Sequence, residues 1–129
     1  MEFNIPLGII GKQEMMVAEK DTAAHYGSGL IEVFATPAMV GFMEGTAQLS
    51  VQPCLPGGYI TLGIEINVKH LKATPVGMKV FCESKLINVD GKKLTFEIKA
   101  WDEKGDIGTA LHHRYIVEAA KFMEKLHAK

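Results

Sequence analysis

The stretch from Thr36 to Gln52 constrains this chain more than any other. Thr36 is a good helix N-cap, and Pro37 suits the first helical position, where its missing N–H costs nothing. The helix is predicted to run to about Gln52, where Pro53 stops it. Met39, Val40, Met43, Ala47, Ser50 and Val51 make one broad stripe, and Phe42 and Leu49 carry the apolar surface round its side. Gly41 and Gly45, four apart, let another backbone come close. A helix this apolar is expected to be buried on most sides, so the rest of the chain has to wrap it.

The sequence after the helix changes to a period of two. Leu62, Ile64, Ile66, Val68 and His70 are expected on one face of a strand, with Gly63, Glu65, Asn67 and Lys69 on the other. Thr74-Pro75-Val76-Gly77 reads as a turn. A second strand then points Met78, Val80, Cys82, Ser84 and Leu86 inward. Asp90-Gly91 is a hairpin signal. The third strand places Leu94, Phe96, Ile98 and Ala100 inward, and a turn at Asp102 to Asp106 leads to a fourth strand from Ile107 to Val117. An amphipathic helix closes the chain from Glu118 to about His127. Ahead of the long helix, Gly11 to Glu19 reads as an opening strand. Lys20 to Glu32 reads as loop with a short helical piece. The fold class is α+β: a long central helix wrapped by a curved antiparallel β-sheet with one apolar face.

The chain has 129 residues, 47% of them hydrophobic, which suits one domain over residues 1–129 with a core that needs no staple. Its formal net charge is −1, and Arg114 is the only arginine. That balance argues against a nucleic-acid partner, since neutralising phosphates takes a basic excess. No stretch approaches a membrane span, and the first residues lack the basic start of a signal peptide. Cys54 and Cys82 are too few for a disulfide framework and read as free thiols of a cytoplasmic protein.

Between Glu32 and Glu65 the only charged side chain is Glu44, in mid-helix at the edge of the apolar stripe. A carboxylate there either sits on a solvated rim or is desolvated, and then needs hydrogen bonds or gives up its charge. His70 ends a strand on its apolar face. It is a core imidazole satisfied by a carbonyl, or a catalytic one. Capping alone accounts for Thr36, yet its hydroxyl also lies beside free N–H groups able to receive an oxyanion. About 12 Å of helix separates Thr36 from Glu44, and a strand-end histidine lying across the helix is able to bridge them. His112 and His113 are strand neighbours that point to opposite faces, a poor chelating pair. No metal site is expected.

Val33-Phe34-Ala35-Thr36-Pro37-Ala38-Met39-Val40-Gly41-Phe42-Met43-Glu44 resembles the helix start of the fluoroacetyl-CoA thioesterase-like branch of the hotdog-fold thioesterases. Leu62-Gly63 through Val68-Lys69-His70, with Ala73-Thr74-Pro75-Val76-Gly77, is similar to that family's histidine strand and following turn. Asp106-Ile107-Gly108 through His113-Arg114 is similar to its last strand. The resemblance spans Val33 to the C-terminus. It implies a hotdog fold, a homodimer or dimer of dimers, and an acyl-CoA ligand held near the subunit interface. It places the family's catalytic Thr, Glu and His on Thr36, Glu44 and His70. Phe34, Gly77 and Arg114 become candidate substrate-binding residues, and Lys69, Lys72 and Lys79 candidate CoA contacts.

Thioester hydrolysis needs a basic or nucleophilic oxygen, a proton shuttle and an oxyanion site. Glu44, His70 and Thr36 with the helix N-terminus are expected to supply them. CoA enters as part of the substrate, so no cofactor is expected. The alternative is a non-catalytic acyl-CoA or small-ligand binding protein on the same fold. A hydratase ranks third, because the short Asp and His motif expected of one is absent.

Overall fold

A computed structural model describes residues 2–128 of the chain. The elements are β1 (Ile10–Met16), a short helix α1 (Ala23–Tyr26), the long helix α2 (Thr36–Val51), β2 (Tyr59–His70), β3 (Lys79–Asp90), β4 (Lys93–Asp102), β5 (Gly105–Glu118) and α3 (Ala119–His127). The strands form one antiparallel sheet in the order β1-β3-β4-β5-β2. This is the expected long helix held in a curved antiparallel sheet, the hotdog architecture.

The alternating pattern of β3 and β4 gives the sheet its apolar face. Val80, Cys82 and Leu86 of β3 and Leu94, Phe96, Ile98 and Ala100 of β4 are buried. Against them lie Met39, Phe42, Met43, Ala47 and Val51 of α2. Burying a side chain of this size contributes about 1.5–3 kcal/mol, so this interface dominates the stability of the fold. Gly11 of β1 lets α2 sit close. A Cβ there would stand 2.6 Å from Ser84 Oγ and 2.7 Å from both Ser50 Cβ and the Thr46 carbonyl oxygen.

Four expectations are corrected. Thr36 is not the N-cap: Ala35 holds that position, no side chain caps the helix, and Thr36 is its first residue. The helix ends at Val51, and a 3₁₀ turn from Gln52 to Cys54 carries the chain past Pro53. Leu49 is 53% exposed, so in a single chain α2 is covered on one side and not on most of its circumference. The face assignment of β2 fails over its first half. The strand slips register against β5 between Gly63 and Glu65, leaving Ile64 as the extra residue of a bulge. Gly63 pairs with Arg114 and Ile66 with His112, and both partners are buried. The inner face therefore runs Thr61, Gly63, then Ile66, Val68 and His70. Leu62 faces the other way, and Ile64 is 55% exposed.

The start of α2 is fixed from outside the helix. Val33 bridges to Pro75 and Phe34 to Thr22, and the Phe34 N–H donates to the Thr74 carbonyl at 2.8 Å. The Thr74 hydroxyl in turn donates to Asp102 Oδ2 at 2.9 Å. Leu71 N–H donates to the Ile107 carbonyl at 2.7 Å, which pins the chain just after His70. These bonds bring the first turn of α2 against the end of β2.

Candidate active site

Two groups of polar side chains lie where α2 crosses the sheet, one at the His70 end of β2 and one near the middle of that strand, at Gly63. The first is Thr36 with His70. With no capping duty, the Thr36 hydroxyl meets His70 Nδ1 at 2.8 Å. His70 Nε2 is buried without a well-formed hydrogen bond among the described residues. Burial lowers the imidazole below its ordinary 6.5, and a contact with the Lys72 backbone offsets part of that. His70 is thus neutral at pH 7 and able to take a proton. The Phe34 ring, itself buried, stands edge-on to it with centroids 6.5 Å apart.

An open cleft of about 440 Å³ lies over this pair, lined by Ala23, Ser28, Val33, Phe34, Ala35, Thr36 and the run from His70 to Ala73. The first turn of α2 borders it. By position the N–H groups of Thr36 and Ala38 have no acceptor inside the helix, and they carry the positive end of its dipole. Of the lysines considered for CoA, only Lys72 lines the cleft. A larger hollow of about 690 Å³ lies where the sheet presents Lys69, Lys85 and Lys99 beside Glu83 and Glu97, and neither Thr36 nor His70 lines it.

The second group surrounds Glu44. A Cβ at Gly63 would stand 2.6 Å from Glu44 Oε2, 3.2 Å from His112 Cε1 and 3.3 Å from Arg114 Nη1. Three side chains converge on the space over this glycine, and a larger residue would have to displace the Glu44 carboxylate. Arg114 is buried on β5 and donates from Nε to Thr61 Oγ1 at 2.8 Å and from Nη2 to the Thr61 carbonyl at 2.9 Å. Burial lowers the guanidinium from its ordinary value, and Glu44 opposes the shift.

The structure therefore joins Thr36, His70 and Phe34 and sets Glu44 apart with Arg114. Thr36 and Glu44 stand about 12 Å apart along α2. Their counterparts on β2, His70 and Gly63, are roughly 20 Å apart along the strand. Gly77 does not line the cleft. It has φ +90° in the turn before β3 and donates its N–H to the Val17 carbonyl at 2.8 Å. His112 and His113 do face opposite ways. His113 meets Thr95 Oγ1 at 2.9 Å, while His112 lies in the interior beside Arg114. Sequence reasoning missed Thr61, Gly63 and His112. A lone glycine inside an apolar strand was the available signal, since it marks a bulge or a close approach.

Comparison with known proteins gives a concordant result. The family model described as fluoroacetyl-CoA-specific thioesterase matches residues 17–120. The fluoroacetyl-CoA thioesterase of Streptantibioticus cattleyicolor is 38% identical over 98 residues, which cover 76% of this chain and 70% of that relative. A solved structure of the fluoroacetyl-CoA thioesterase FlK superposes with a TM-score of 0.91 at 32% identity, covering 98% of each chain. A thioesterase superfamily member from Thermus thermophilus gives a TM-score of 0.89 at 25% identity, covering 97% of this chain and 93% of that one.

Proposed function

Since this chain belongs to the fluoroacetyl-CoA-specific thioesterase family and is a hotdog-fold acyl-CoA thioesterase, we propose that its catalytic site is completed between two copies, with Thr36 and His70 from one and Glu44 from the other. The observation that carries this reading is the separation itself. His70 presents a buried, unbonded Nε2 at the end of β2, and Glu44 presents its carboxylate beside Gly63, near the middle of the strand. β2 is a twelve-residue strand at the edge of the sheet, an edge that invites pairing. Two copies running antiparallel about a twofold axis bring Gly63 of one strand beside the His70 end of its partner. One such pairing assembles two equivalent sites and covers the half-exposed side of α2.

In that arrangement the thioester carbonyl lies against the first turn of α2, where the Thr36 hydroxyl and the helix N–H groups receive the developing oxyanion. Glu44 supplies the basic oxygen, by attacking the carbonyl carbon or by deprotonating the water that does so. His70, neutral at pH 7 and oriented by Thr36, takes up a proton of the water consumed, directly or by way of Glu44, and passes it to the CoA thiolate. Phe34 lines the acyl end of the cleft, and Lys72 is placed to meet the phosphates of CoA. The segment from Lys20 to Glu32 borders the cleft through Ala23 and Ser28 and exposes Leu30 and Ile31, which suits a cover over a bound acyl chain. The two free thiols support a cytoplasmic enzyme. Among the described residues no helix is long and apolar enough to cross a membrane.

The test is release of free thiol from a panel of acyl-CoA esters, fluoroacetyl-CoA and acetyl-CoA included, by the wild type and by E44Q and H70A. Turnover by the wild type and its loss in both variants, with folding intact, is the expected result. Full turnover by E44Q would remove the mechanism. Binding of acyl-CoA without thiol release would leave only a ligand-binding role.

A further inference from the structure

His112 is fully buried on the inner face of β5. A buried imidazole needs a partner for each ring nitrogen. Nδ1 lies 2.8 Å from the Glu65 carbonyl oxygen, which only accepts, so Nδ1 carries the proton. Nε2 is then a lone-pair acceptor, and Arg114 Nη1, which only donates, stands 3.2 Å from it. Both contacts agree on one neutral tautomer. The β2 bulge is what turns the Glu65 carbonyl toward the ring, because a bulge frees ladder groups beside the extra residue.

The guanidinium of Arg114 is therefore engaged at three nitrogens, by Thr61 Oγ1, the Thr61 carbonyl and His112 Nε2. Nη1 is the nitrogen that faces the space over Gly63, which it shares with Glu44 Oε2. A guanidinium this close to a carboxylate ordinarily closes on it as a two-pronged pair. Here no ion pair joins Arg114 to Glu44 among the described residues.

We infer that His112 is a positioning residue of the hydrolytic site, whose Nε2 lone pair holds Arg114 Nη1 off Glu44 and so keeps both carboxylate oxygens free for the reaction. This rests on the reading of Glu44 as the catalytic carboxylate. Arg114 still lends positive charge beside Glu44 without occupying it. The groups that face His112 are Arg114 of its own strand, Glu44 from α2, the Glu65 carbonyl from β2 and the uncharged Phe96 ring from β4, while His113, on the opposite face, acts on it only through charge. Burial pushes the imidazole below its usual 6.5. The Glu65 carbonyl opposes this, Arg114 adds to it, Glu44 opposes it, and His113 lowers it further. His112 is thus neutral at pH 7, as an acceptor for Arg114 must be.

Two measurements test the inference. In the ¹⁵N-histidine-labelled wild-type enzyme, with its five histidines assigned, His112 is expected as the neutral Nδ1–H tautomer at pH 7. An Nε2–H tautomer or an imidazolium would overturn the proposal, since neither accepts from Arg114. Kinetically, H112N keeps an amide donor near the Glu65 carbonyl and removes the acceptor for Nη1, whereas H112Q places an oxygen near the former Nε2. H112N is expected to lose roughly tenfold in kcat with KM within about twofold, and H112Q to regain most of the loss. Equal kcat in both folded variants, or a loss confined to KM, would overturn it. Should neither variant fold, the tautomer decides. E44Q tests the underlying reading separately. An active E44Q removes Glu44 from the chemistry, whereas a fully active H112N removes only the role of His112.

Discussion

At the scale of the residue, Thr36 shows how a side chain is reassigned by its surroundings. A threonine at a helix start is expected to cap, and the sequence reads that way. Here the chain is pinned by Phe34 and Thr74 so that Ala35 takes the cap position and the hydroxyl turns to His70. T36V keeps the shape and removes that bond, whereas T36S keeps the hydroxyl. T36V is expected to lose roughly ten- to a hundredfold in kcat while T36S retains most of it. Because Thr36 caps nothing, its melting midpoint should barely move, a change within about 0.5 kcal/mol. A large loss of stability in T36V with kcat unchanged would return Thr36 to a capping role. Thr36, Glu44 and His70 were legible as types: a hydroxyl at a helix start, one carboxylate in an apolar helix, an imidazole on an apolar strand face. Gly63 was not. Its importance lies in three side chains that arrive from α2 and β5, and no local pattern encodes that meeting.

At the scale of the element, the helix and the strands differ in what their periodicity revealed. The inward faces of β3 and β4 follow the alternation of the sequence, since those strands keep register from Val80 to Leu86. β2 alternates just as cleanly in its residues, but the bulge at Ile64 flips the faces before it. One extra residue moves every earlier side chain to the other side of the sheet. The apolar stripe of α2 was also legible, and Met39 is its most committed member. It is fully buried against Gly108 of β5, where a Cβ would stand 2.7 Å from its Sδ and Cε. Met39→Ala is expected to cost about 2–5 kcal/mol in urea unfolding. A cost below about 1 kcal/mol would mean that α2 does not rest on β5 as described.

At the scale of the whole molecule, one buried and one half-buried histidine couple stability to pH. His70 and His112 both titrate below the ordinary 6.5 in the folded chain. As pH falls the unfolded chain takes up these protons first. Their contribution is therefore complete above about pH 6.5 and is lost as pH drops through the lowered folded values. The urea midpoint should be lower at about pH 5.5 than at about pH 7.5, and a midpoint that rises on acidification would contradict the neutral state of both rings. The wrapping of α2 by the sheet was readable from the order of periods along the chain. The proposed split of the site was not, because nothing in one sequence states which copy supplies which side chain. That split is also open to the most direct experiment. E44Q and H70A chains, each inactive alone, are co-expressed and the mixed dimers assayed for thiol release. A site shared between copies leaves each mixed dimer one intact Thr36–His70–Glu44 set, so a random mixture should recover about a quarter of wild-type activity per chain. A mixture as inactive as its two parents would contradict the shared site.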